Sequence, residues 1–556
     1  MLNDQSNEKI NGEVFALMVK NATATLKENI SIVNNLNVFP VPDGDTGDNM
    51  YLTIKGGLDA IVNNNDSNLS NVASAVAQGM LLGARGNSGV ILSQLFYGLS
   101  LGLENLQEAN LDQFIEALNK GVNQAYSSVA HPVEGTILTV AREASEFIKS
   151  HITEALNFNN LLEEFLQEMK QSLKRTPDML PVLKEAGVVD SGGAGLVYIT
   201  EGFTKAIKGE TMELDISYNQ SNEELDFSKF DENSEMTYGY CTELLLRLQK
   251  SKIDIDAFNV DLLIEYLSTI GDSIVAFKNG SIVKIHVHTL TPYKVLEYCQ
   301  RYGEYLKVKI ENMTLQHNET VEKETKEDLF TVQRSRRKYA VVTVASGEGL
   351  INMFTDLGCD YVIQGGQTNN PSSEDFVKAF DYVNADYIYV LPNNSNIILA
   401  AKQASEIYHN SKIIVIESKT IGQGYSALSL LDFSCDDPAE IEQMLIDGMQ
   451  NVVTGLVSKA SRSTCVNGIE IIKDNYIGFT NKTMLTSKEN KLDTLYDLID
   501  KLEPNDKAFA LLIYGNNLTE EEQTISLQNL KEKYLDLEIY TLEGKQEVYD
   551  FIVIME

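Results

Sequence analysis

Residues 37–50 read Asn-Val-Phe-Pro-Val-Pro-Asp-Gly-Asp-Thr-Gly-Asp-Asn-Met, and this segment decides the first domain. Two prolines restrict the backbone before Asp43, and the two glycines allow the chain to turn back on itself. The turn brings the carboxylates of Asp43 and Asp45 close together, where a cation must offset their repulsion. Carboxylate oxygens favour Mg²⁺, Mn²⁺ or Ca²⁺ over softer metals. The segment therefore predicts a metal-binding loop.

This loop has two other possible interpretations. An EF-hand that starts at Asp43 requires glycine at its sixth position and glutamate at its twelfth, but those positions hold Asp48 and Ile54. The spacing excludes it. An acidic turn between two helices stays open for the tripeptide Asp-Gly-Asp taken alone.

A second motif follows at residues 83–94, which read Gly-Ala-Arg-Gly-Asn-Ser-Gly-Val-Ile-Leu-Ser-Gln. The apolar run predicts a helix that begins near Ser88, and a glycine-rich turn before a helix presents free amides to an anion. The motif lacks the Gly-Lys-Ser/Thr of a Walker loop and the Gly-x-Gly-x-x-Gly of a dinucleotide site. Close helix packing through glycine is an equal alternative. Residues 133–140 and 189–195 repeat the pattern of small, hydroxyl and acidic residues, which indicates one nucleotide–metal site built from helix ends.

These four motifs resemble the nucleotide-binding, L-type domain of the dihydroxyacetone kinases. From about residue 8 onward, the whole chain resembles the kinase subunit of bacterial fatty acid kinase. The resemblance implies an all-α domain that binds ATP and a pair of Mg²⁺ ions. It further implies phosphorylation of the carboxylate of a fatty acid, bound to a separate DegV-type protein, to give an acyl phosphate for phospholipid metabolism.

The resemblance also assigns roles to individual residues. It makes Asp43 and Asp45 the catalytic magnesium ligands. It assigns the contacts with ATP to a phosphate loop and three further polar residues: Gly86, Asn87, Ser88, Gly89, Thr46, Asn49 and Thr136. One departure is Asp48, where the family usually carries threonine, and we expect this carboxylate to lie in solvent. Two roles are open for Arg85: a contact with phosphate or with the carrier, and a surface salt bridge.

Composition limits the classes of function. The chain has 556 residues, 43% of them apolar, and a net charge of −35, which argues against nucleic-acid binding and against electrostatic attachment to anionic lipid. No run approaches 18 apolar residues, so neither a signal peptide nor an integral membrane span is predicted. Five cysteines without a Cys-x-x-Cys pair suit a reducing, cytoplasmic location.

Hydrophobic periodicity and charged stretches predict a multidomain protein. We expect an all-α helical barrel or bundle that binds ATP and magnesium, a small α+β middle domain, and a C-terminal α/β domain with a parallel sheet. The predicted segments are 1–208 (helical domain), 209–236 (acidic linker), 237–316 (middle domain), 317–338 (charged linker) and 339–556 (α/β domain). The resemblance makes the first of these the kinase domain and the last a DegV-like domain for carrier docking.

The middle domain contains a second group of candidate ligands. His286 and His288 are two apart on a predicted strand, so their side chains share a face, and Cys241 lies on another predicted strand. One cysteine and two histidines form a known zinc set, although alternating histidines also occur on half-exposed strands. The resemblance favours a structural zinc ion, since the related kinase subunits share this pairing.

In the last domain, the polar segments 364–375 and 391–396 follow predicted strands, where doubly wound sheets bind ligands. Helix capping by Ser372 and Ser395 is the alternative. The resemblance implies a carrier-like fold that serves as a docking surface. We predict no acyl cavity in the chain, which suits a fatty acid delivered by a partner.

Two other functions remain as alternatives. One is a kinase for a small hydroxyl substrate of the dihydroxyacetone type, which the long C-terminal extension disfavours. The other is a non-catalytic adaptor that responds to metal and lipid, which the intact aspartate pair and the Ser88 loop disfavour. The sequence does not fix the oligomeric state, and a homodimer is one option.

Overall fold

The computed structural model describes residues 9–37, 44–62, 66–151, 157–212, 240–255, 258–279, 281–312, 336–431, 435, 437–466, 468–481 and 483–556. These residues form two compact units. The first unit combines those within 1–216 and 334–556, and the second comprises those within 217–333. Among the helices of the described ranges, none has the length and apolarity needed to cross a membrane.

The N-terminal part of the first unit is helical, as predicted. A short strand β1 (Ile10–Asn11) pairs with β2 (Glu108–Ala109). The helices are α1 (Gly12–Asn34), α2 (Thr46–Asp59), α3 (Leu69–Gly83), α4 (Gly86–Gly102), α5 (Leu111–Ser127), α6 (Ile137–His151), α7 (Phe158–Met179), α8 (Pro181–Ala186) and α9 (Ser191–Ile207). Their apolar faces share one core, in which Phe114 and Phe158 meet edge to face with ring centroids 5.6 Å apart.

Asparagine side chains begin four of these helices. The capping residues of α1, α3, α5 and α7 each accept a hydrogen bond from an amide of the first turn, and they are Asn11, Asn68, Asn110 and Asn157. A cap of this kind contributes about 1 kcal/mol, because it satisfies an amide that has no partner within the helix. Part of the asparagine content of the chain therefore fixes where helices start.

The second unit is an antiparallel sheet with two helices. Its elements are β3 (Tyr240–Leu248), α10 (Val260–Leu267), β4 (Asp272–Asn279), β5 (Ile282–Thr289), α11 (Pro292–Cys299) and β6 (Gly303–Asn312). The strand order is β4-β5-β3-β6. Alternate residues of β3 and β5, among them Leu244, Leu246, Ile285 and Val287, are buried with apolar residues of both helices. The predicted α+β middle domain is confirmed.

The C-terminal part of the first unit begins with a parallel sheet, also as predicted. Its elements are β7 (Arg337–Ala345), α12 (Glu348–Asp356), β8 (Tyr361–Gln364), α13 (Ser373–Val383), β9 (Ala385–Leu391), α14 (Ile398–Ile407) and β10 (Lys412–Val415). The strand order is β10-β9-β7-β8, with every pair parallel. This order places the loops after β7, β8 and β9 at one edge of the sheet.

A second, six-stranded sheet follows, which the strand pattern in the sequence did not predict. The elements are α15 (Ile421–Ser429), α16 (Pro438–Gly448), β11 (Val453–Lys459), β12 (Thr464–Val466), β13 (Ile469–Ile471), β14 (Tyr476–Thr480), β15 (Thr483–Lys488), α17 (Lys491–Lys501), β16 (Phe509–Tyr514), α18 (Glu520–Lys533), β17 (Glu538–Glu543) and β18 (Phe551–Met555). The order is β15-β14-β11-β18-β16-β17, and β12 pairs with β13 as a separate hairpin. All pairs in the larger sheet are antiparallel except β16 with β17.

The two parts of the first unit pack directly on one another. Ala84 and Val90, which flank the start of α4, are buried in the same apolar cluster as Phe376 of α13. Gln403 of α14 is 4% exposed; its Oε1 accepts a hydrogen bond from Gln94 Nε2 at 2.9 Å. Its Nε2 donates to the carbonyl of Leu81 at 2.6 Å. Helices α3 and α4 are thus joined to the parallel sheet through a buried polar network.

Candidate nucleotide and metal site

A cavity of about 720 Å³ lies between the two parts of the first unit. The starts of α2, α4, α6 and α9 form one wall, and the loops after β7, β8 and β9 form part of the other. Helix N-termini carry free amides and partial positive charge, and the carboxyl ends of parallel strands are common ligand sites. Residues of the first wall include Asp45, Thr46, Asn49, Asn87, Ser88, Thr136, Asp190 and Ser191.

The aspartate loop enters this cavity at Asp45. Asp43 lies outside the described residues, so only its neighbour is placed. Asp45 directly precedes α2, and its carboxylate accepts a hydrogen bond from Asn370 Nδ2 in the loop after β8. Thr46 Oγ1 donates to Asn37 Oδ1 at 3.0 Å, and Ser191 Oγ donates to the same oxygen at 3.2 Å. These bonds connect the start of α2 with the start of α9.

Asp48 does not lie free in solvent, contrary to our expectation. The residue is half-buried on the first turn of α2, and its Oδ2 accepts a hydrogen bond from Asn34 Nδ2 at 2.7 Å. Asn34 Oδ1 in turn accepts the amide of Gly47 at 2.7 Å. The extra carboxylate therefore helps to fasten α2 to the end of α1, away from the cavity lining.

The glycine-rich motif combines close packing with an open helix start. Helix α4 begins at Gly86, two residues before the predicted start. Gly86 has a φ of +57°, and a Cβ at this position would lie 2.6 Å from Asn49 Nδ2. A Cβ on Gly89 would collide with Thr53 of α2. Asn87 and Ser88 line the cavity. Of the two alternatives in the sequence, close packing through glycine is observed, and the binding of an anion stays a prediction.

The guanidinium of Arg85 contacts residues of the C-terminal part of the chain. Its Nη1 donates to the carbonyl of Asn370 at 2.9 Å, and its Nη2 lies 3.8 Å from Asp375 Oδ2. Arg85 and Ser372 also form an isolated antiparallel bridge. The salt-bridge alternative thus describes the observed contacts, and the guanidinium fixes the glycine-rich loop to the C-terminal part.

The third and fourth motifs meet at a buried carboxylate. Thr136 precedes α6 and lines the cavity, while its Oγ1 donates to the carbonyl of Val133 at 2.7 Å. Asp190 caps α9, and its Oδ2 accepts the amide of Gly193 at 2.6 Å. Burial raises the pKa of Asp190 to about 6, against the lowering effect of the amides of Gly193 and Ile137. One side chain therefore holds the starts of both helices.

Two amide oxygens near this wall have no hydrogen-bond partner among the residues that the structure describes. They are Asn87 Oδ1 and Asn370 Oδ1, and both atoms are buried. A buried acceptor without a donor is costly, and such an atom often marks the place of an ion or ligand. Together with the Asp45 carboxylate, these oxygens are the donor type that Mg²⁺ prefers. The described residues fit a hard cation at this place.

The sequence did not indicate that Asn370 lies beside Asp45. The segment 364–375 stands out in the sequence for its polar residues after a strand, but the resemblance there implies a docking surface. Within it, Ser372 does cap α13, since its Oγ accepts the amide of Asp375 at 3.2 Å. Ser395 caps no helix, because α14 is preceded by Ile397, and Ser395 lines the cavity instead. No local signal singled out Asn370 from its neighbours.

The cavity also has an apolar wall, which the sequence did not predict. Its side chains include members of the buried apolar cluster to which both sheets contribute: Leu350, Leu456, Val466, Phe479 and Ile552. Polar and apolar walls thus belong to one continuous cavity. Periodicity in the sequence could not show this, because the wall combines residues from separate strands.

The candidate zinc residues lie at matching positions in the second unit. Cys241 on β3 is directly opposite His288 on β5, and Glu243 is opposite His286. Directly opposite residues share a face of the sheet, so this register gathers all three candidates on one face. Their side chains are outside the structural description. Among the residues described, no group of three or more histidine, cysteine or acidic side chains is placed to hold a metal.

Comparison with known proteins identifies the class as a kinase. The chain matches the DAK2 domain over residues 40–205, the middle domain of the FakA-like fatty acid kinase proteins over 237–320, and their C-terminal domain over 340–556. It is 40% identical to Protein YloV of Bacillus subtilis (strain 168), covering 98% of this chain and 99% of that one. It is 38% identical to SAR1202 of Staphylococcus aureus (strain MRSA252), covering 99% and 100%. The chain belongs to the FakA-like fatty acid kinase family, as its motifs predicted.

Two solved structures resemble parts of the chain. The dihydroxyacetone kinase from C. freundii in complex with AMP-PNP and Mg²⁺ is 22% identical, with a TM-score of 0.28, and the match covers 34% of this chain and 33% of that one. DegV, a fatty acid binding protein from Bacillus subtilis, is 14% identical, with a TM-score of 0.30, and the match covers 39% and 99%. Because both TM-scores are under 0.5, the family assignment rests on the sequence matches.

Proposed function

We propose that this chain transfers the γ-phosphoryl group of ATP to the carboxylate of a fatty acid held by a separate DegV-type protein, which gives an acyl phosphate. The observation that carries the proposal is the shared cavity. Four helix N-termini and the Asp45 carboxylate meet there, in a chain whose family is that of the FakA-like fatty acid kinases.

The phosphates of ATP would lie against the helix starts. The chain has a net charge of −35, so the positive potential that attracts a polyphosphate must be produced locally. Free amides at the start of α4, with the Asn87 and Ser88 side chains beside them, supply it without a lysine. The positive φ of Gly86 exposes these amides, which explains the need for glycine at this position.

Asp43 and Asp45 would hold Mg²⁺. When bound, such an ion would supply positive charge that offsets the negative charge developing on the transferred γ-phosphoryl group. The contribution of the chain is to keep the Asp45 loop in place. The Thr46–Asn37–Ser191 hydrogen bonds on one side and Asn370 on the other hold it in position.

No general base is required for this reaction. A carboxylic acid with a pKa of about 4 to 5 is already ionised at neutral pH, so the nucleophile exists without proton removal. The difficulty is to bring an anion close to the anionic γ-phosphoryl group in a fixed orientation. Catalysis of this kind depends on positioning and charge neutralisation, which is what helix starts and metal-binding carboxylates supply.

A carrier solves a solubility problem. A free long-chain acid aggregates in water or enters membranes, so its carboxylate needs a shielded host to reach ATP. We assign the docking of this host to the C-terminal part, residues 339–556. The second unit would add a structural zinc ion on Cys241, His286 and His288, with the support of the β3–β5 register.

The test is a reconstitution with the full chain. ATP consumption and acyl phosphate, trapped as a hydroxamate, are measured with a DegV-type carrier and a fatty acid, and each component is omitted in turn. We expect product only in the complete mixture. Turnover with dihydroxyacetone in place of the fatty acid would favour the small-substrate kinase, and no ATP turnover under any condition would favour the adaptor.

A further inference from the structure

We infer that Asn370, from the C-terminal part of the chain, is a direct metal ligand of the nucleotide site through its Oδ1 atom. The inference rests on the proposed function for the presence of a divalent cation, and it adds a ligand from outside the kinase domain. Asn370 lies 325 positions from Asp45 in the sequence, yet the two side chains are in contact.

The orientation of the Asn370 amide is fixed by its neighbour. Its Nδ2 donates to the Asp45 carboxylate, and the reverse orientation would place two acceptor oxygens against each other. Oδ1 is bonded to the same carbon as Nδ2, so it lies beside that carboxylate. The residue is only 2% exposed, and within the described part of the chain Oδ1 has no hydrogen-bond donor.

A cation explains this arrangement better than a hydrogen bond alone. An amide that only restrained Asp45 would leave its buried oxygen unsatisfied, at a cost of about 1–3 kcal/mol. With a divalent cation bound, the same oxygen becomes a ligand, and Nδ2 orients the neighbouring carboxylate ligand. Asn87 Oδ1 is a second buried acceptor that has no donor in the described ranges. Asn87 follows Gly86, whose Cβ position would lie 3.5 Å from Asn370 Nδ2.

The placement of Asn370 is secured from three directions. Its carbonyl accepts Arg85 Nη1 at 2.9 Å, and the amide of Ser373 donates to the carbonyl of Ala84 at 3.2 Å. Ser372 begins α13 with a capping box that involves Asp375. These contacts hold the loop after β8 against the glycine-rich motif. The side chain is therefore pre-positioned, as a metal ligand needs to be.

The test measures Mn²⁺ binding to the full chain without nucleotide, from the electron paramagnetic resonance signal of free Mn²⁺. We expect Asn370→Ala to weaken binding about tenfold, and Asn370→Asp to bind at least as tightly as the wild type. Asn369→Ala is the matched control, since that neighbouring side chain is exposed. Circular dichroism establishes that each variant is folded.

Opposite results separate a ligand from a mere restraint. If Asn370 only restrains Asp45 through Nδ2, Asn370→Asp loses that donor and places two carboxylates against each other, so it binds Mn²⁺ more weakly than the wild type, which overturns the inference. If Asp45→Ala abolishes Mn²⁺ binding while Asn370→Ala does not weaken it, the inference fails and the metal site of the proposed function stands. If neither variant weakens Mn²⁺ binding, both are wrong.

Discussion

Asp45 lies at the start of a helix without capping it. It precedes α2, but its side chain makes no capping hydrogen bond, and its described partner is Asn370 in a distant loop. A carboxylate that does not cap its helix is compatible with the metal-binding role that we propose for Asp45. Asp190, in contrast, does cap its helix, so the two aspartates of the cavity have separate roles.

We predict that Asp45→Ala lowers phosphoryl transfer at least about 100-fold, because a metal ligand is lost. Helical content should be unchanged, since Asp45 caps no helix. The same result is expected for Asp43→Ala. Turnover assays and circular dichroism check both variants, with Asp59→Ala at the far end of α2 as the control. Full activity in both variants would remove the metal assignment.

The raised pKa of Asp190 predicts that the unfolding free energy of the chain depends on pH. Its pKa is raised by burial from 3.8 to about 6 in the folded chain. The folded state therefore binds a proton more tightly than the unfolded state, and this contribution is present at low pH and lost as the pH rises through about 6. Asp190→Asn keeps the capping oxygen and cannot ionise.

The unfolding free energy of Asp190→Asn minus that of the wild type should increase by an amount on the order of 3 kcal/mol as the pH rises from 4 to 7. Above pH 7 this difference should stay constant. Urea denaturation of both proteins across this pH range checks it. A stability difference that does not change with pH would show that Asp190 titrates normally.

At the scale of elements, features that depend on neighbouring residues could be predicted from the sequence. Features that depend on contacts between distant residues could not. The helix predicted to begin near Ser88 begins at Gly86, and the predicted parallel sheet of the C-terminal part is present, because glycine, apolar runs and β-branched residues act on their own neighbourhood. The pairing of Asp45 with Asn370 was not found, because nothing in one sequence relates two residues 325 positions apart. The apolar wall between the sheets was missed for the same reason.

The α14 contact with α3 and α4 depends on Gln403. Replacing it by alanine leaves the Leu81 carbonyl and the Gln94 side-chain amide without their buried partner. We expect Gln403→Ala to cost about 2–3 kcal/mol of unfolding free energy and to loosen the two parts of the first unit. Denaturation and limited proteolysis are the measurements. Glu406→Ala, an exposed position on the same helix, is the control. Equal stability of the two variants would show that the network is dispensable.

The next prediction concerns the zinc ion that we propose on strands β3 and β5 of the second unit. We expect about one zinc ion per chain in protein purified without added metal, and its loss in Cys241→Ser. Loss should destabilise the second unit more than it weakens ATP binding, because the nucleotide motifs belong to the first unit. Elemental analysis and thermal unfolding check this, with the exposed Cys465→Ser as control. Metal-free protein whose second unit unfolds cooperatively and with full stability would contradict it.

At the scale of the whole molecule, the kinase helices and the last part form one unit although the second unit separates them in sequence. Removing residues 339–556 would uncover Ala84 and Val90 and leave Gln94 without Gln403. A truncated chain would thus lose stability and part of the nucleotide cavity together. Tests of the carrier therefore need the full chain.

The final prediction is that the full chain makes acyl phosphate only from a carrier-bound fatty acid. In the proposed function the polar wall of the cavity would hold ATP and metal, and the reaction needs a carboxylate delivered in one orientation. With free fatty acid below its aggregation limit, we expect at least about a 100-fold lower rate than with the loaded carrier, because the benefit of positioning is lost. Hydroxamate formation measures both rates, and carrier without fatty acid is the control. Equal rates would mean that the apolar wall lined by Leu350, Leu456 and Phe479 holds the acyl chain within this protein itself.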